Sequence, residues 1–335
     1  MINKKSKILC ICTGGTIAMD SETLSSLTLA DELLGKVPEA KQIADIDLYQ
    51  LSNFDSVEMK PENWVALAEK IYDEYDNYDG FVVVHGTDTM VYTASAVSFL
   101  ITNLGKPVIF TGSQIPLSNT FGSDAKNNLL YSFRYASMDI AEVCIFFGNV
   151  LLRANRAKKI SGTDINAFGS FSLDPLGHAG VRLTLTRECK KRGRYRPILR
   201  KKLLSDVFLL KIYPGINPEV IDKITEMGYK GIVIESFGIG NIPVGEKSLI
   251  PPIKRAIEKG VSIVIASQCE YGYTDDLYPS GRLLKKTGAI MANDMTPESA
   301  LVKLMWVLGN CETSREISDM MLTPVAGEFS SDDEF

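Results

Sequence analysis

Two short runs carry side chains that could do chemistry: Thr13-Gly14-Gly15-Thr16 and His85-Gly86-Thr87-Asp88-Thr89. Each follows an apolar stretch, Ile8 to Cys12 and Phe81 to Val84, so each falls where a strand should end. In an open α/β sheet ligands bind beyond the carboxyl ends of the strands, and small residues there let a substrate approach the backbone. A threonine hydroxyl becomes a nucleophile only when a positioned base takes its proton. Gly14 and Gly15 permit a tight turn that would present Thr16 beside amide donors able to hold an oxyanion. Thr87 could orient a water or carry a proton, and Asp88 could accept hydrogen bonds from a substrate ammonium. By spacing alone, a glycine turn explains the first run and a helix cap at Thr87 or Asp88 explains the second. His85 ends an apolar strand and reads as a structural histidine; with only His178 besides it, no two-histidine metal site is expected.

The elements that must position these groups alternate along the chain. Strand patterns fall at 7–12, 45–51, 80–85, 107–111 and 142–147. Between them Pro61 opens a helix on which Trp64, Leu67, Ala68, Ile71 and Tyr72 repeat at helical spacing, and 89–104 and 124–136 read as further helices. This rhythm predicts an α/β fold: a large N-terminal domain with a doubly wound, mostly parallel sheet over 1–187. A basic run, 188–205, reads as a solvated linker. A smaller C-terminal α/β domain over 206–335 should then hold strands near 206–211, 231–236 and 261–267 and helices near 217–227, 246–259 and 297–309.

Composition narrows the function classes. The 335 residues are 45% hydrophobic and 23% charged, which is ordinary for a globular protein. A formal net charge of −5 argues against phosphate-driven nucleic-acid binding, with the run from Arg187 to Lys202 as the local exception. The cysteines Cys10, Cys12, Cys144, Cys189, Cys269 and Cys311 lack metal-type spacing, and Cys10 and Cys12 should share one strand face as small buried hydrophobes. No apolar run reaches membrane-helix length and none resembles a secretory leader, so a cytoplasmic protein with reduced thiols is expected.

Beyond the two runs, long ordered stretches resemble the bacterial-type L-asparaginase family, and more specifically its cytoplasmic type I branch. They include Asp79 to Met90, Gly105-Lys106-Pro107-Val108-Ile109, Thr111 to Leu117, Tyr213-Pro214-Gly215-Ile216 and Gly238-Ile239-Gly240-Asn241. The resemblance runs from Ile8 to about Leu308. It implies a threonine amidohydrolase without a cofactor, hydrolysing L-asparagine to L-aspartate and ammonia through an acyl-enzyme on Thr16. Thr87, Asp88 and Lys159 match a second hydroxyl, acid and amine set; Lys158 is the one-residue alternative, because alternating strand faces let only one of the two point inward. Asp55 and Ser56 match the segment that holds the substrate α-carboxylate, Asp88 suits the α-ammonium, and Ser113 is a further substrate-side candidate. Asn241 matches a position that reaches a neighbouring subunit's site, implying a homodimer or homotetramer.

Two departures stand out. The stretch Met19 to Gln42 holds no tyrosine to activate Thr16, and Glu235 stands where an effector-site arginine would be expected, although Ser267-Gln268-Cys269 is kept. Competing readings are an amidohydrolase subunit of a tRNA-dependent amidotransferase, which would carry an extra N-terminal domain ahead of the strand at residue 7, and a catalytically silent amino-acid-binding homologue. A nucleotide-binding module lacks support, since neither glycine-rich phosphate motif follows the first strand.

Overall fold

The computed structural model describes residues 5–15, 17, 29–119 and 122–330, with the backbone alone at 29–32. Two compact units are found, Met1–Lys201 and Lys202–Phe335. The first unit contains β1 (Lys7–Cys12), β2 (Asp45–Gln50), β3 (Gly80–Val84), β4 (Ile101–Thr102), β5 (Val108–Thr111), β6 (Val143–Phe147), β7 (Val150–Arg153), β8 (Ala157–Lys159), β9 (Phe168–Ser170), β10 (Gly177–Ala179), β11 (Leu183–Leu185) and β12 (Ile198–Leu199). Its main sheet has the order β11-β10-β7-β6-β5-β3-β1-β2. The five strands β2, β1, β3, β5 and β6 run parallel, and β7, β10 and β11 continue the sheet antiparallel.

Both faces of the parallel region are buried, which is why β1 beyond Lys7 and β3 are apolar rather than alternating. Ile8, Cys10, Cys12, Val82 and Val84 share one core with Leu33 of α1 (Leu29–Lys36), Ala40 of α2 (Ala40–Ile43) and Leu129 and Phe133 of α5 (Ala125–Ala136). On the other face Phe81 stacks on Tyr75, just beyond α3 (Pro61–Asp73), and α4 (Met90–Leu100) is buried along nearly its whole length. The Cys10 thiol, hydrogen-bonded to Cys12 and desolvated, is held well above its ordinary pKa, as suits a buried hydrophobe.

Several expectations shift by a few residues for identifiable reasons. The helix expected over 89–104 stops at Leu100, because Ile101 and Thr102 leave it to pair with β12. The helix expected from 246 starts at Ile250, where Pro251 and Pro252 fit the first turn. The basic run, expected to be solvated, is in part strapped to the first unit. Arg192 donates to the carbonyls of Met138, Asp79 and Ala136, and Lys190 N donates to the Glu142 carboxylate. The carbonyl acceptors lie at the end of α5 and ahead of β3 and β6, so the arginine stem and head are spent inside the fold.

The second unit is a four-stranded parallel sheet, β13 (Val207–Lys211), β14 (Gly231–Ser236), β15 (Ser262–Ser267) and β16 (Ile290–Met291), in that order. Around it lie α6 (Glu219–Glu226), α7 (Ile250–Glu258), α8 (Pro279–Thr287), α9 (Pro297–Asn310) and α10 (Ser314–Met321). As expected, Thr296 caps α9, its hydroxyl accepting from Ser299 N at 3.1 Å. Sequence reading did not find α8 and α10. The architecture as a whole is mixed α/β, a large N-terminal mostly parallel sheet with a smaller C-terminal parallel sheet.

Candidate active site

The two glycine-threonine runs lie at the carboxyl ends of adjacent strands, β1 and β3. Thr13 crosses to its neighbour: its N–H and its hydroxyl both donate to the Val84 carbonyl, at 2.9 and 3.0 Å. Gly14 and Gly15 have φ of 111° and 90°, left-handed values that a side chain resists. Space enforces glycine as well. A Cβ on Gly15 would overlap the Gly86 Cα, and a Cβ on Gly86 would come within 2.7 Å of the Ser56 Cβ and Oγ. Three segments therefore meet glycine to glycine to serine, closer than any substituted residues could. Thr16 itself lies outside the described residues, as does the stretch 18–28 that follows it.

The second run carries the fully visible chemistry. Lys159 Nζ donates to Thr87 Oγ1 at 2.9 Å and to Asp88 Oδ1 at 2.6 Å, across 72 and 71 positions of sequence. It reaches them from the end of β8, which follows a single 3₁₀ turn over Ala154–Arg156 and pairs with β9 so that Lys159 faces Phe168. The choice left open between Lys158 and Lys159 is thus resolved in position: adjacent strand residues face opposite ways, and Lys159 is the one that meets Thr87. The Thr87 hydroxyl in turn donates to Gln114 Oε1 at 3.2 Å. The Asp88 carboxylate is 56% exposed, open to a charged ligand, while Thr87 is buried.

Sequence reasoning missed Gln114 and what holds it. Asp124, at the start of α5, accepts from Gln114 N and Ile115 N at 3.1 and 3.0 Å. Asn128 donates to both Asp124 and the Gly112 carbonyl and accepts from Gly148 N. Asp124 and Asn128 are a carboxylate and an amide four residues apart on one helix face, and that spacing was the only signal available. Ser113, on the same loop, is buried, and its hydroxyl has no partner among the described residues.

Asp55 and Ser56 lie beside the second run. Asp55 caps the 3₁₀ turn over Ser56–Glu58, its carboxylate accepting from Val57 N, and the Ser56 carbonyl accepts from the Thr89 hydroxyl at 2.7 Å. Ser56 is buried and Asp55 exposed. Asn241 belongs to the second unit, where its side-chain oxygen accepts from the Ser280 hydroxyl at 2.7 Å. Glu235, standing where an arginine would be expected, pairs with Lys211 at 3.6 Å.

His85 is fully buried, its Nδ1 2.7 Å from the Gly86 carbonyl; burial pushes its pKa down to about 4, so the imidazole is neutral near pH 7. Among the described residues no cluster of three or more His, Cys, Asp or Glu could hold a metal ion, and no helix is long and apolar enough to cross a membrane.

Residues 7–191 match the family description "Asparaginase, N-terminal", and residues 206–321 match "Glutaminase/Asparaginase C-terminal domain". A glutamyl-tRNA(Gln) amidotransferase polypeptide of Pyrococcus abyssi, one of that enzyme's subunits, is 40% identical over 340 residues, covering 97% of this chain and 77% of that protein. L-asparaginase 1 of Escherichia coli K12 is 36% identical over 339 residues, covering 98% of this chain and 100% of that protein. The solved structure of L-asparaginase I from Vibrio cholerae superposes with a TM-score of 0.92 at 36% identity, over 98% of this chain and 100% of that one. Matched in both domains and along nearly its whole length, the chain belongs to the asparaginase family, among whose solved members type I L-asparaginases share its fold.

Proposed function

We propose that the protein hydrolyses L-asparagine to L-aspartate and ammonia, with Thr16 as nucleophile. The observation that carries the reading is the single lysine ammonium bonded to both Thr87 and Asp88, on a turn whose Gly86 packs against Gly15. In the proposed first step Thr16 Oγ bonds to the side-chain amide carbon of asparagine, the C–N bond breaks, and ammonia leaves after gaining a proton. Water then attacks the resulting ester and releases aspartate and the free hydroxyl. Thr87, with its oxygen accepting from Lys159, orients that water or passes a proton, and the lysine offsets negative charge developing nearby. The free amino acid is held at both charged ends, its α-ammonium by Asp88 and its α-carboxylate by Ser56 with Asp55 shaping the turn. Ser113 lines the substrate side. Holding both ends fixes the amide carbon in position, and that reduces the entropic cost of attack.

The reading carries a cytoplasmic location, for which six unlinked cysteines are suited, and a homo-oligomer in which Asn241 serves a neighbouring copy. A second reading, an ammonia-supplying component of a tRNA-dependent amidotransferase, is favoured by the 40% identity to the Pyrococcus amidotransferase polypeptide. One assay separates them: ammonia release from free L-asparagine by the purified chain, with and without tRNA and a partner protein. Turnover of the free amino acid that is lost in Thr16→Ala and in Thr87→Ala supports the hydrolase. Activity only in the presence of charged tRNA supports the amidotransferase, and full activity in either variant removes the threonine mechanism.

A further inference from the structure

The proposed chemistry makes no use of His85, a buried ionisable group one residue from the candidate site. Its Nδ1 lies 2.7 Å from the Gly86 carbonyl, its backbone N–H donates to Thr111 O on β5, and its ring packs on Phe110 with centroids 6.2 Å apart. Its other nitrogen, Nε2, is buried without a partner among the described residues. These facts fix the tautomer. With the proton on Nε2, a buried N–H would be stranded and the Nδ1 lone pair would face a carbonyl oxygen at contact distance. With the proton on Nδ1, the carbonyl is satisfied and the cost is one unpaired acceptor. Burial also disfavours the imidazolium, whose second N–H would have no acceptor among the described residues.

We propose that His85 is a positioning residue: its Nδ1–H grips the Gly86 carbonyl, so that the Gly86–Thr87 peptide keeps the one orientation that sets the Thr87 hydroxyl against Lys159. The proposal rests on the amidohydrolase reading. A trans peptide is planar, with C=O and N–H pointing opposite ways, so pinning the Gly86 oxygen toward the imidazole turns the Thr87 N–H to the far side. Gly86 needs such a restraint more than another residue would, since it has no side chain and a broad choice of dihedrals. It also sits where error matters, wedged between Gly15 and Ser56. A neutral, desolvated imidazole gives a fixed donor with no charge to perturb the lysine nearby.

The test has two arms. In 15N-labelled wild-type protein, long-range 1H–15N spectra of His85 between pH 5 and 8 should show the neutral tautomer protonated at Nδ1; an Nε2-protonated or charged ring overturns the proposal whatever the activity. In steady-state assays with L-asparagine, His85→Leu should lower kcat about 10-fold or more with KM within about threefold. His85→Asn, whose side-chain amide can place a donor near the Nδ1 position, should recover to within about threefold of wild type. Wild-type kcat in folded His85→Leu, or equal impairment of the two variants at equal melting temperature, overturns it. Absence of any wild-type turnover on L-asparagine fails the hydrolase reading instead, and the tautomer arm still decides the role of His85.

Discussion

Two lysines of this chain each donate to a carboxylate at almost the same distance, and they do opposite things. Lys159 meets Asp88 at 2.6 Å with side chains 19% and 56% exposed; Lys303 meets Glu328 at 2.5 Å with both at 0%. The buried pair is saturated. Lys303 also donates to the carbonyls of Met321 and Thr323 at 2.8 Å and lies over the Phe329 ring, while Glu328 accepts from Val325 N and Ala326 N. No bond is left for a ligand, and the pair ties the segment after α10 to α9. Lys159 shares its protons between Thr87 and a carboxylate that is 56% exposed, so under the proposed function a substrate would enter the network without first breaking a core. Burial decides which pair is a lock and which is available for chemistry.

That contrast can be broken by substitution, the largest effect first. Lys159→Ala should lower kcat/KM for L-asparagine at least about 1,000-fold, roughly 4 kcal/mol of barrier. Lys303→Met should leave kcat/KM of the folded enzyme nearly unchanged while costing about 3 to 5 kcal/mol in urea unfolding, since Glu328 is left as a buried uncompensated charge. If Lys303→Met instead abolishes turnover in folded protein, the division into lock and site fails.

His85 adds a third buried group, neutral rather than paired. Its folded pKa is about 4 against 6.5 in the unfolded chain, so above pH 6.5 neither state holds the proton. As pH falls from 6.5 toward 4 the unfolded chain takes it up and the folded one does not, and stability drops by up to about 3 kcal/mol. Urea midpoints across that window should fall for wild type relative to His85→Asn as the pH falls, because only wild type carries the titrating ring; parallel curves would mean that the ring titrates normally. The smallest effect belongs to the open pair. Lys159→Ala should shift unfolding free energy by no more than about 1 kcal/mol, because a half-exposed ion pair is screened by solvent. A larger loss would make Lys159 structural as well.

Much of the fold was legible because apolar runs have only a few ways to be buried. The strands at 7–12, 80–84 and 231–236 lie within a residue of their expected bounds, and Pro61 and Pro297 open helices where their fixed φ suits a first turn. What was missed lacks periodicity or a local partner. The short strands between Val150 and Leu185 are too brief to show alternation. The strap around Arg192 is held by backbone carbonyls, which every residue type carries alike. At the site, the candidate threonines and Asp88 could be named from the chain, whereas Gln114, Asp124 and Asn128 join it through a loop whose path no local pattern describes.

The alternation of strand and helix, and with it the placing of small and hydroxyl-bearing residues at strand ends, follows from the chain alone, because burial of apolar runs and the special dihedrals of glycine and proline are local properties. Which lysine meets Thr87, the contact between Gly15 and Gly86, and the openness of one lysine-carboxylate pair against the sealing of the other emerge only once the chain is folded. Those depend on strand register and burial, which bring together groups 72 positions apart at the site.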